Sequence, residues 1–254
     1  MTSADLAEDA PEDAQESEAP EPEPQEFEPQ EPGTREPIWA RPETRRRSTL
    51  SRAAIVAAAT ALADREGLAA VSIRRVAAEL GARAMSLYTY LGSKDDLFDL
   101  MGDAAAAETV LPEPFPDDWR EALTGIAEST RDQITRHPWL VPLMAEGRRF
   151  GGPNGLRHLE QSFRATDPLG LPPARRLEIL VAVDDYVLGY VTRTAVAPPA
   201  AHARTLGHPF YRALLEGGEF PHLRAAVEAR ALSADTFAQG LRWLLDGIEA
   251  GLAR

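Results

Sequence analysis

Residues 50–101 decide the fold: LSRAAIVAAATALADREGLAAVSIRRVAAELGARAMSLYTYLGSKDDLFDLM. The stretch contains three serines suited to capping helices and two glycines suited to ending them, namely Ser51, Ser72, Ser93, Gly67 and Gly81. Between them, apolar side chains recur at the three- and four-residue spacing of helices that are buried on one side. The pattern predicts three short helices and the start of a fourth: residues 51–67, 72–80, 83–91 and from residue 93 onward.

The second and third predicted helices are joined by a tight turn at Gly81. Two short helices in this arrangement are typical of a helix-turn-helix unit, in which the second helix enters the major groove of DNA. Basic and hydroxylated side chains cluster in and beside that second helix. The stretch therefore predicts a protein that reads DNA sequence, although other helical hairpins share the same spacing.

The charge of the chain is unevenly distributed. The net charge is −13, but residues 1–40 contain 13 acidic residues and one arginine, a net charge of −12. Residues 41–94 contain nine arginines and one lysine against four acidic residues, a net charge of +6, and residues 95–254 carry −7. Phosphate binding depends on the local electrostatic potential, so this basic segment is compatible with DNA binding despite the acidic total.

A run of arginines lies just before the first predicted helix: Arg41, Arg45, Arg46 and Arg47. A short basic arm in this place can reach phosphates or the minor groove. The alternative is an unspecific solvated run of charge.

Residues 1–40 are rich in Glu and Pro and almost without large apolar side chains. This composition predicts a disordered, self-repelling tail. The tail is either a solubilising spacer or a mimic of DNA charge that competes for the basic segment. Unchanged DNA affinity at low salt after deletion of residues 1–40 would exclude the second alternative.

The rest of the chain reads as helical throughout, and no strand pattern is present. The predicted helices are residues 117–137, 156–166, 174–197, 222–231 and 235–253, and residues 200–222 read as a loop with one short helix. The predicted fold class is all-α, with an N-terminal three-helix DNA-binding domain and a larger helical domain. The predicted division is a tail at 1–40, a DNA-binding domain at 41–101 and a helical domain at 102–254.

Other function classes leave no pattern in the sequence. The chain has no cysteine, which excludes disulfides and thiolate chemistry, and its five histidines lack the spacing of a metal pair. The neighbouring Asp184 and Asp185 diverge on a helix and do not form a carboxylate pair. We therefore expect no enzyme, cofactor or metal site. The chain also lacks an apolar signal segment and an apolar run of about 18 residues, so we expect a cytoplasmic protein without membrane contact.

The segment VSIRRVAAELGARAMSLYTYLGSKDDL at 71–97 resembles the DNA-binding signature of the TetR (tetracycline-repressor-like) family of transcriptional regulators nearly throughout. The segment HPWLVPLM at 137–144 resembles, more weakly, the C-terminal class that includes the tetracycline repressor itself. The resemblance implies a homodimer that binds a palindromic operator, usually represses transcription, and is released by a small-molecule effector. It places the dimer contact in helices near 174–197 and 235–253. The alternative is a ligand-independent DNA-binding protein whose C-terminal half only dimerises.

The resemblance also implies which residues contact DNA: Arg74, Arg83, Ala84, Met85, Ser86, Tyr88, Thr89, Tyr90 and Lys94. Arg83 is placed to pair with guanine, and Ala84 and Met85 offer apolar contacts to a thymine methyl group. Tyr88, Tyr90 and Lys94 occupy phosphate-binding positions. The alternatives are that the tyrosines pack in a core and that Arg83 is only solvated.

Candidate effector-binding residues are apolar or aromatic groups of the C-terminal half: Trp139, Met144, Phe163, Tyr186 and Tyr190. In the resembled family, an effector bound between these helices changes the spacing of the two DNA-reading heads. Plain core packing is the favoured alternative for each of the five residues.

Overall fold

The computed structural model describes residues 36–42, 50–145, 151–196, 199–231 and 235–252. The predicted arm residues Arg45, Arg46 and Arg47 and almost all of the predicted tail lie outside these ranges. Throughout the described residues the secondary structure is helical and no strand is present, which confirms the all-α prediction. Among the same residues, no helix combines the length and the apolar composition needed to cross a membrane.

The first four helices form a unit that we call the head: α1 (Arg52–Glu66), α2 (Ile73–Glu79), α3 (Ala84–Leu87) and α4 (Lys94–Ala106). The predicted caps are confirmed, because the hydroxyl groups of Ser51, Ser72 and Ser93 each accept a hydrogen bond from the backbone N–H three residues later. Gly67 and Gly81 have φ angles of 82° and 61°, a region that favours glycine, and they end α1 and α2.

Helix α3 is shorter than predicted. Instead of continuing to Leu91, the chain leaves the α-helix after Leu87 and passes through turns in which the Tyr90 and Leu91 N–H groups both donate to the Leu87 carbonyl. Such tight turns at a helix end satisfy the last carbonyl groups and redirect the chain. Here they lead the chain to the Ser93 cap of α4.

The remaining helices form the body: α5 (Trp119–Arg136), α6 (Leu140–Ala145), α7 (Pro153–Ala165), α8 (Pro173–Val196), α9 (Pro199–Leu206), α10 (Pro209–Glu216), α11 (Pro221–Glu228) and α12 (Phe237–Leu252). The prediction of one short helix within 200–222 is wrong, since α9 and α10 occupy most of this range. Helices α7 to α11 each begin with a proline: Pro153, Pro173, Pro199, Pro209 and Pro221. Proline at the first position of a helix loses no hydrogen bond, because the N–H group at that position has no partner within the helix.

Head and body share buried side chains. The core of the head includes Met101 and Ala105 of α4 and continues into Leu140 and Leu143 of α6. A second core lies between α5, α8 and α12. The predicted boundary at residue 101 falls inside the continuous helix α4, which therefore belongs to both parts of the molecule.

The segment Pro37–Arg41, which we call the anchor, differs from the prediction of a disordered tail through residue 40. It contains a short 3-10 turn, Ile38–Ala40, and it belongs to the same compact unit as the rest of the chain that follows it. Ile38 is only 1% exposed, and the turn packs against α4. Burial of the Ile38 side chain against α4 contributes to the stability of this segment, because it removes apolar surface from water.

Candidate nucleic-acid interface

Helices α2 and α3 form the predicted helix-turn-helix. The turn at Gly81 is closed by the Ala82 N–H, which donates to the Ala77 carbonyl over 2.9 Å. Leu87 is fully buried in the head core and fixes which side of α3 faces outward. The sequence-predicted residues Arg83, Met85, Ser86, Tyr88 and Thr89 are exposed on the outward side. Ala84 is half-buried and packs against the core of the head.

The apolar part of this surface is unusual for solvent contact. Met85 is 76% exposed, and Tyr88 is about half exposed. A flexible apolar side chain and an aromatic ring that stand beside an exposed arginine indicate a surface that a partner covers. Base edges, with their thymine methyl groups and guanine acceptors, supply such a partner.

The structure corrects the prediction that Tyr90 occupies a phosphate-binding position. It is only 6% exposed and belongs to the core of the head, so its ring packs against the neighbouring helices instead of facing phosphate. The reason is its position three residues after Leu87, which puts both side chains on the inner side of the turn. Its backbone carbonyl accepts a hydrogen bond from Nε of Arg52 at 3.1 Å.

Lys94 is the first residue of α4 and is exposed. Its ammonium group lies 4.9 Å from the centroid of the Phe98 ring, which holds the side chain along the first turn of the helix. The N-terminus of a helix favours anions because its first backbone N–H groups point outward. A cation at this place adds its own charge, so the two together suit a phosphate group.

Two neighbouring arginines of α2 have different surroundings. Arg75 donates to Glu66 of α1 over 2.7 Å, which ties it to the side of the head. Arg74 is exposed and lies about 100° further around the helix. This difference favours Arg74 as the one of the two that is able to meet DNA.

The position of Arg41 also differs from the sequence prediction, which placed it in a basic arm that reaches phosphates or the minor groove. Its guanidinium donates to the buried carboxylate of Asp96 in the first turn of α4 over 2.7 Å. A cation that compensates a buried carboxylate is held in place by it, because separating the two leaves a charge in a poorly solvated site.

The head and the body meet at a polar cluster that we call the junction: Asp64, Glu108, Arg136, His137 and Trp139. The Trp139 indole N–H donates to the Asp64 carboxylate over 2.7 Å, and His137 Nδ1 lies 2.7 Å from the same oxygen. His137 Nε2 lies 3.1 Å from the Glu108 carboxylate, which also accepts from Arg136. The junction thus links α1 of the head to the start of α6.

The junction overturns the assignment of Trp139 to an effector pocket. Trp139 is buried in the head core, and its one polar group is already bonded to Asp64. Met144 packs at the edge of the same core, whereas Phe163 packs on the core of the body. The five predicted effector residues therefore do not converge on one site. Sequence reasoning missed Asp64, His137 and Glu108, for which only the HPW segment gave a signal.

Tyr186 and Tyr190 are the predicted effector residues that line a cavity. It measures about 480 Å³ and opens between α8 and α12, and its wall also includes Asp185, Arg193 and Trp243. The Tyr186 hydroxyl donates to the Phe237 carbonyl and the Tyr190 hydroxyl to the Asp235 carboxylate, each over 2.7 Å.

The titration of these groups follows from their contacts. Burial raises the pKa of both tyrosines above the usual range. The backbone N–H of Phe237 and then the Tyr190 hydroxyl lower the pKa of Asp235, because both donate hydrogen bonds to its charged form. The tyrosines therefore remain neutral hydrogen-bond donors near pH 7, and Asp235 remains an acceptor.

Large apolar side chains are exposed on the same two helices. Trp243 of α12 is 68% exposed, and Leu177 and Val181 of α8 are each nearly half exposed. The two helices therefore expose apolar surface of the kind that a protein interface buries. Both helices are those in which the sequence analysis placed the dimer contact.

Two family models match the chain. The family described as "Bacterial regulatory proteins, tetR family" matches residues 55–101, which make up most of the head. The family described as "Tetracyclin repressor-like, C-terminal domain" matches residues 111–252, which are the body. Together the two matches cover the chain except for residues 1–54, 102–110 and 253–254.

Individual relatives agree with these matches. The HTH-type transcriptional repressor DrrR1 of Streptomyces coeruleorubidus is 34% identical over 210 residues, which cover 78% of this chain and 77% of that protein. Apo ActR from Streptomyces coelicolor superposes with a TM-score of 0.68 at 28% identity and covers 82% of this chain and 99% of its own. ActR in complex with actinorhodin gives a TM-score of 0.66 at 28% identity, over 82% of this chain and 100% of its own.

Proposed function

Because the chain belongs to the TetR family of bacterial transcriptional regulators, we propose that it is a repressor that binds a palindromic operator as a homodimer and leaves it when a small-molecule effector binds. The observation that carries the proposal is the exposed surface of α3, on which Met85 and Tyr88 lie beside Arg83. We further propose that residues 41–101 read DNA and residues 102–254 bind the effector and the second subunit.

Each residue of the α3 surface has a distinct proposed role. Arg83 pairs with guanine O6 and N7, and Ala84 and Met85 contact thymine methyl groups. Ser86 and Thr89 lie on the groove side and add hydrogen bonds. At the edges of this surface Tyr88 and Lys94 bind phosphate, and Arg74 reaches a base from α2. Arg45, Arg46 and Arg47, outside the described residues, remain proposed phosphate or minor-groove contacts.

The operator geometry tests the proposal of a dimeric repressor. Two heads related by a twofold axis require two half-sites related by the same axis, with centres about 34 Å apart or a multiple of that distance. Selection of binding sequences from a random-sequence duplex pool by the full chain should therefore recover a palindrome. Recovery of a single half-site, or of no preferred sequence, would contradict dimeric recognition.

We propose that the effector binds at the cavity between α8 and α12. The cavity wall combines the rings of Tyr186 and Tyr190 with one acidic and one basic side chain, Asp185 and Arg193. Trp243 also lines the cavity but is mostly exposed, so we propose that the effector site adjoins the dimer face. Flat aromatic walls with a few polar groups suit a planar aromatic compound that carries hydrogen-bonding groups. The related ActR binds actinorhodin, which makes that compound a suitable first probe.

We expect Tyr190→Ala to abolish the thermal stabilisation that an effector gives. A ligand at a hundred times its dissociation constant stabilises the folded protein by about 2.7 kcal/mol, which corresponds to roughly 5–10 °C for a domain of this size. The measurement is the melting temperature of both proteins with a panel of planar aromatic compounds that includes actinorhodin. Tyr190→Phe is the control, since it keeps the ring.

The same panel separates the alternatives. A compound that stabilises the native protein and Tyr190→Ala equally would place the effector site elsewhere. If no compound stabilises the protein or releases its operator, the ligand-independent alternative, in which the body serves only dimerisation, is favoured. Release of the operator by the stabilising compound supports the proposed regulation directly, because a ligand shifts an equilibrium only by its differential affinity for the two states.

A further inference from the structure

The anchor is fixed to both the head and the body. Ile38 is buried against α4, and the Trp39 ring lies over Gly152, where an added Cβ atom would be 2.5 Å from the ring. The same Cβ would be 2.3 Å from the carboxylate of Asp103. Gly152 therefore allows the backbone before α7 to approach the anchor and α4 closely.

Asp103 explains why this contact is well defined. It lies on α4, is buried, and accepts hydrogen bonds from the N–H groups of Asn154 and Gly155 at 2.8 and 3.0 Å. It also accepts from the Asn154 side chain at 3.1 Å. A carboxylate at the N-terminus of a helix is favoured by the helix dipole and by these donors. The middle of the anchor thus packs where Asp103 of α4 binds the start of α7.

The C-terminal end of the anchor reaches the turn between α3 and α4. Asp96 is 1% exposed, and one of its carboxylate oxygens accepts from Arg41 while the other accepts from the Gly92 N–H, each over 2.7 Å. A Cβ atom at Gly92 would be 2.7 Å from the Arg41 guanidinium. The close approach of Arg41 therefore depends on the glycine at this turn.

Arg52 links the anchor to the turn that precedes α4. This first residue of α1 donates to the Arg41 carbonyl over 3.0 Å and to the Tyr90 carbonyl over 3.1 Å. The anchor, the start of α1 and the turn at residues 90–92 are consequently tied into one hydrogen-bonded unit. Lys94 is exposed and lies two residues after this turn, next to the Ser93 cap.

From this geometry we infer that Ile38 and Arg41 are positioning residues for the phosphate contact of Lys94. Arg41 reaches Lys94 through Asp96 and Gly92, which flank it by two residues on each side. It holds the first turn of α4 in place and offsets the charge of an acid that otherwise opposes phosphate at this helix end. Ile38 fixes Arg41 by seating the anchor on α4. The inference rests on the proposed role of Lys94 in operator binding.

The test uses the salt dependence of operator binding, since each phosphate contact contributes about 0.9 to the slope of log affinity against log salt concentration. The proteins are the full-length chain, Ile38→Ala, Arg41→Met, Lys94→Ala and the two double variants that add Lys94→Ala. Ile38→Ala removes no charge and its side chain is buried. We expect it nevertheless to lower the slope by about 0.9, as Lys94→Ala does.

The double variants give the second readout. If the anchor acts through Lys94, Ile38→Ala and Arg41→Met cause no further loss of affinity in the Lys94→Ala background, because coupled residues are non-additive. Additive losses, or an Ile38→Ala protein with the native slope, would overturn the inference. Arg41→Lys should restore part of the slope, since it restores the cation beside Asp96.

Two further measurements keep the outcomes distinct. Ile126→Ala, a change of similar size in the body core, controls for general destabilisation and should leave the slope unchanged. Melting curves verify that each variant is folded at the temperature of the binding measurement. If Lys94→Ala itself leaves affinity and slope unchanged, the proposed phosphate contact fails; if only the anchor variants are without effect, the inference fails and the proposed contact stands.

Discussion

Replacement of Trp243 by glutamate is expected to convert the protein to a monomer and to lower its operator affinity by about 100- to 10,000-fold, the range by which two linked binding modules exceed one. Trp243 is 68% exposed on α12, and the adjacent helix α8 exposes Leu177 and Val181. A charge in the centre of a surface that buries apolar side chains opposes association, because the charge has to be desolvated.

The fold of the subunit should survive this change. The opposite side of α12 is held by Phe237, Leu241 and Leu245, which are all buried in the body core. Sedimentation or light scattering reports the mass, circular dichroism reports the helix content, and anisotropy reports operator binding. Trp243→Phe, which keeps an apolar ring, is the control and should remain dimeric. A Trp243→Glu protein that is dimeric and binds the operator normally would exclude this face as the interface.

Replacement of Trp139 by alanine is expected to lower the free energy of unfolding by about 3–5 kcal/mol, which corresponds to a fall in melting temperature of roughly 6–20 °C. The loss has two causes. Removal of the buried indole ring leaves a cavity at the contact of head and body. The Asp64 carboxylate also loses a hydrogen-bond donor at 2.7 Å. Denaturant unfolding of native and variant protein measures the change.

The conservative variant separates the two causes. Trp139→Phe keeps most of the ring volume and loses the N–H group, so we expect a loss of about 1.5–3 kcal/mol, as for a hydrogen bond to a charged group. A loss below about 1.5 kcal/mol in Trp139→Ala would mean that the contact of head and body does not depend on this residue. Equal losses in the two variants would assign the effect to the hydrogen bond alone.

The junction gives the proposed effector response a physical connection from the body to the head. Asp64 of α1 accepts from the Trp139 indole and lies 2.7 Å from His137 Nδ1, and these two residues lie before α6 and at the end of α5. A movement of these helices therefore changes a contact of α1 directly. Since α4 also continues from head to body, the reading surface is connected to the body by two routes.

The parts of the fold that depend on local chemistry were predictable from the sequence. The starts of α1, α2 and α4 follow from serines whose hydroxyl groups cap a backbone N–H, and the ends of α1 and α2 follow from glycines with positive φ. These interactions involve residues within one helical turn of each other. The local sequence therefore contains all the information that decides them.

The features that escaped prediction depend on distant residues or on a residue with two uses. Tyr90 and Trp139 are aromatic side chains with a polar group, which suits a binding site, but the tertiary packing of the head buries both. Residues 200–222 were predicted as a loop with one short helix, whereas Pro209 and Pro221 are first residues of α10 and α11. Ile38 was assigned to the tail because residues 1–40 as a whole are rich in Glu and Pro, and only the surface of α4 shows where it packs.

The central claim is that the outward surface of α3 reads DNA while Lys94 holds its phosphate backbone. Fluorescence anisotropy with the selected operator and with single-base variants of it, at two salt concentrations, tests this claim for the native protein, Arg83→Ala and Lys94→Ala. We expect Arg83→Ala to lose about 1–3 kcal/mol of discrimination at one base pair of each half-site. Lys94→Ala should weaken binding to every sequence equally and lower the salt slope by about one. Native sequence preference in Arg83→Ala together with an unchanged salt slope in Lys94→Ala would contradict the account.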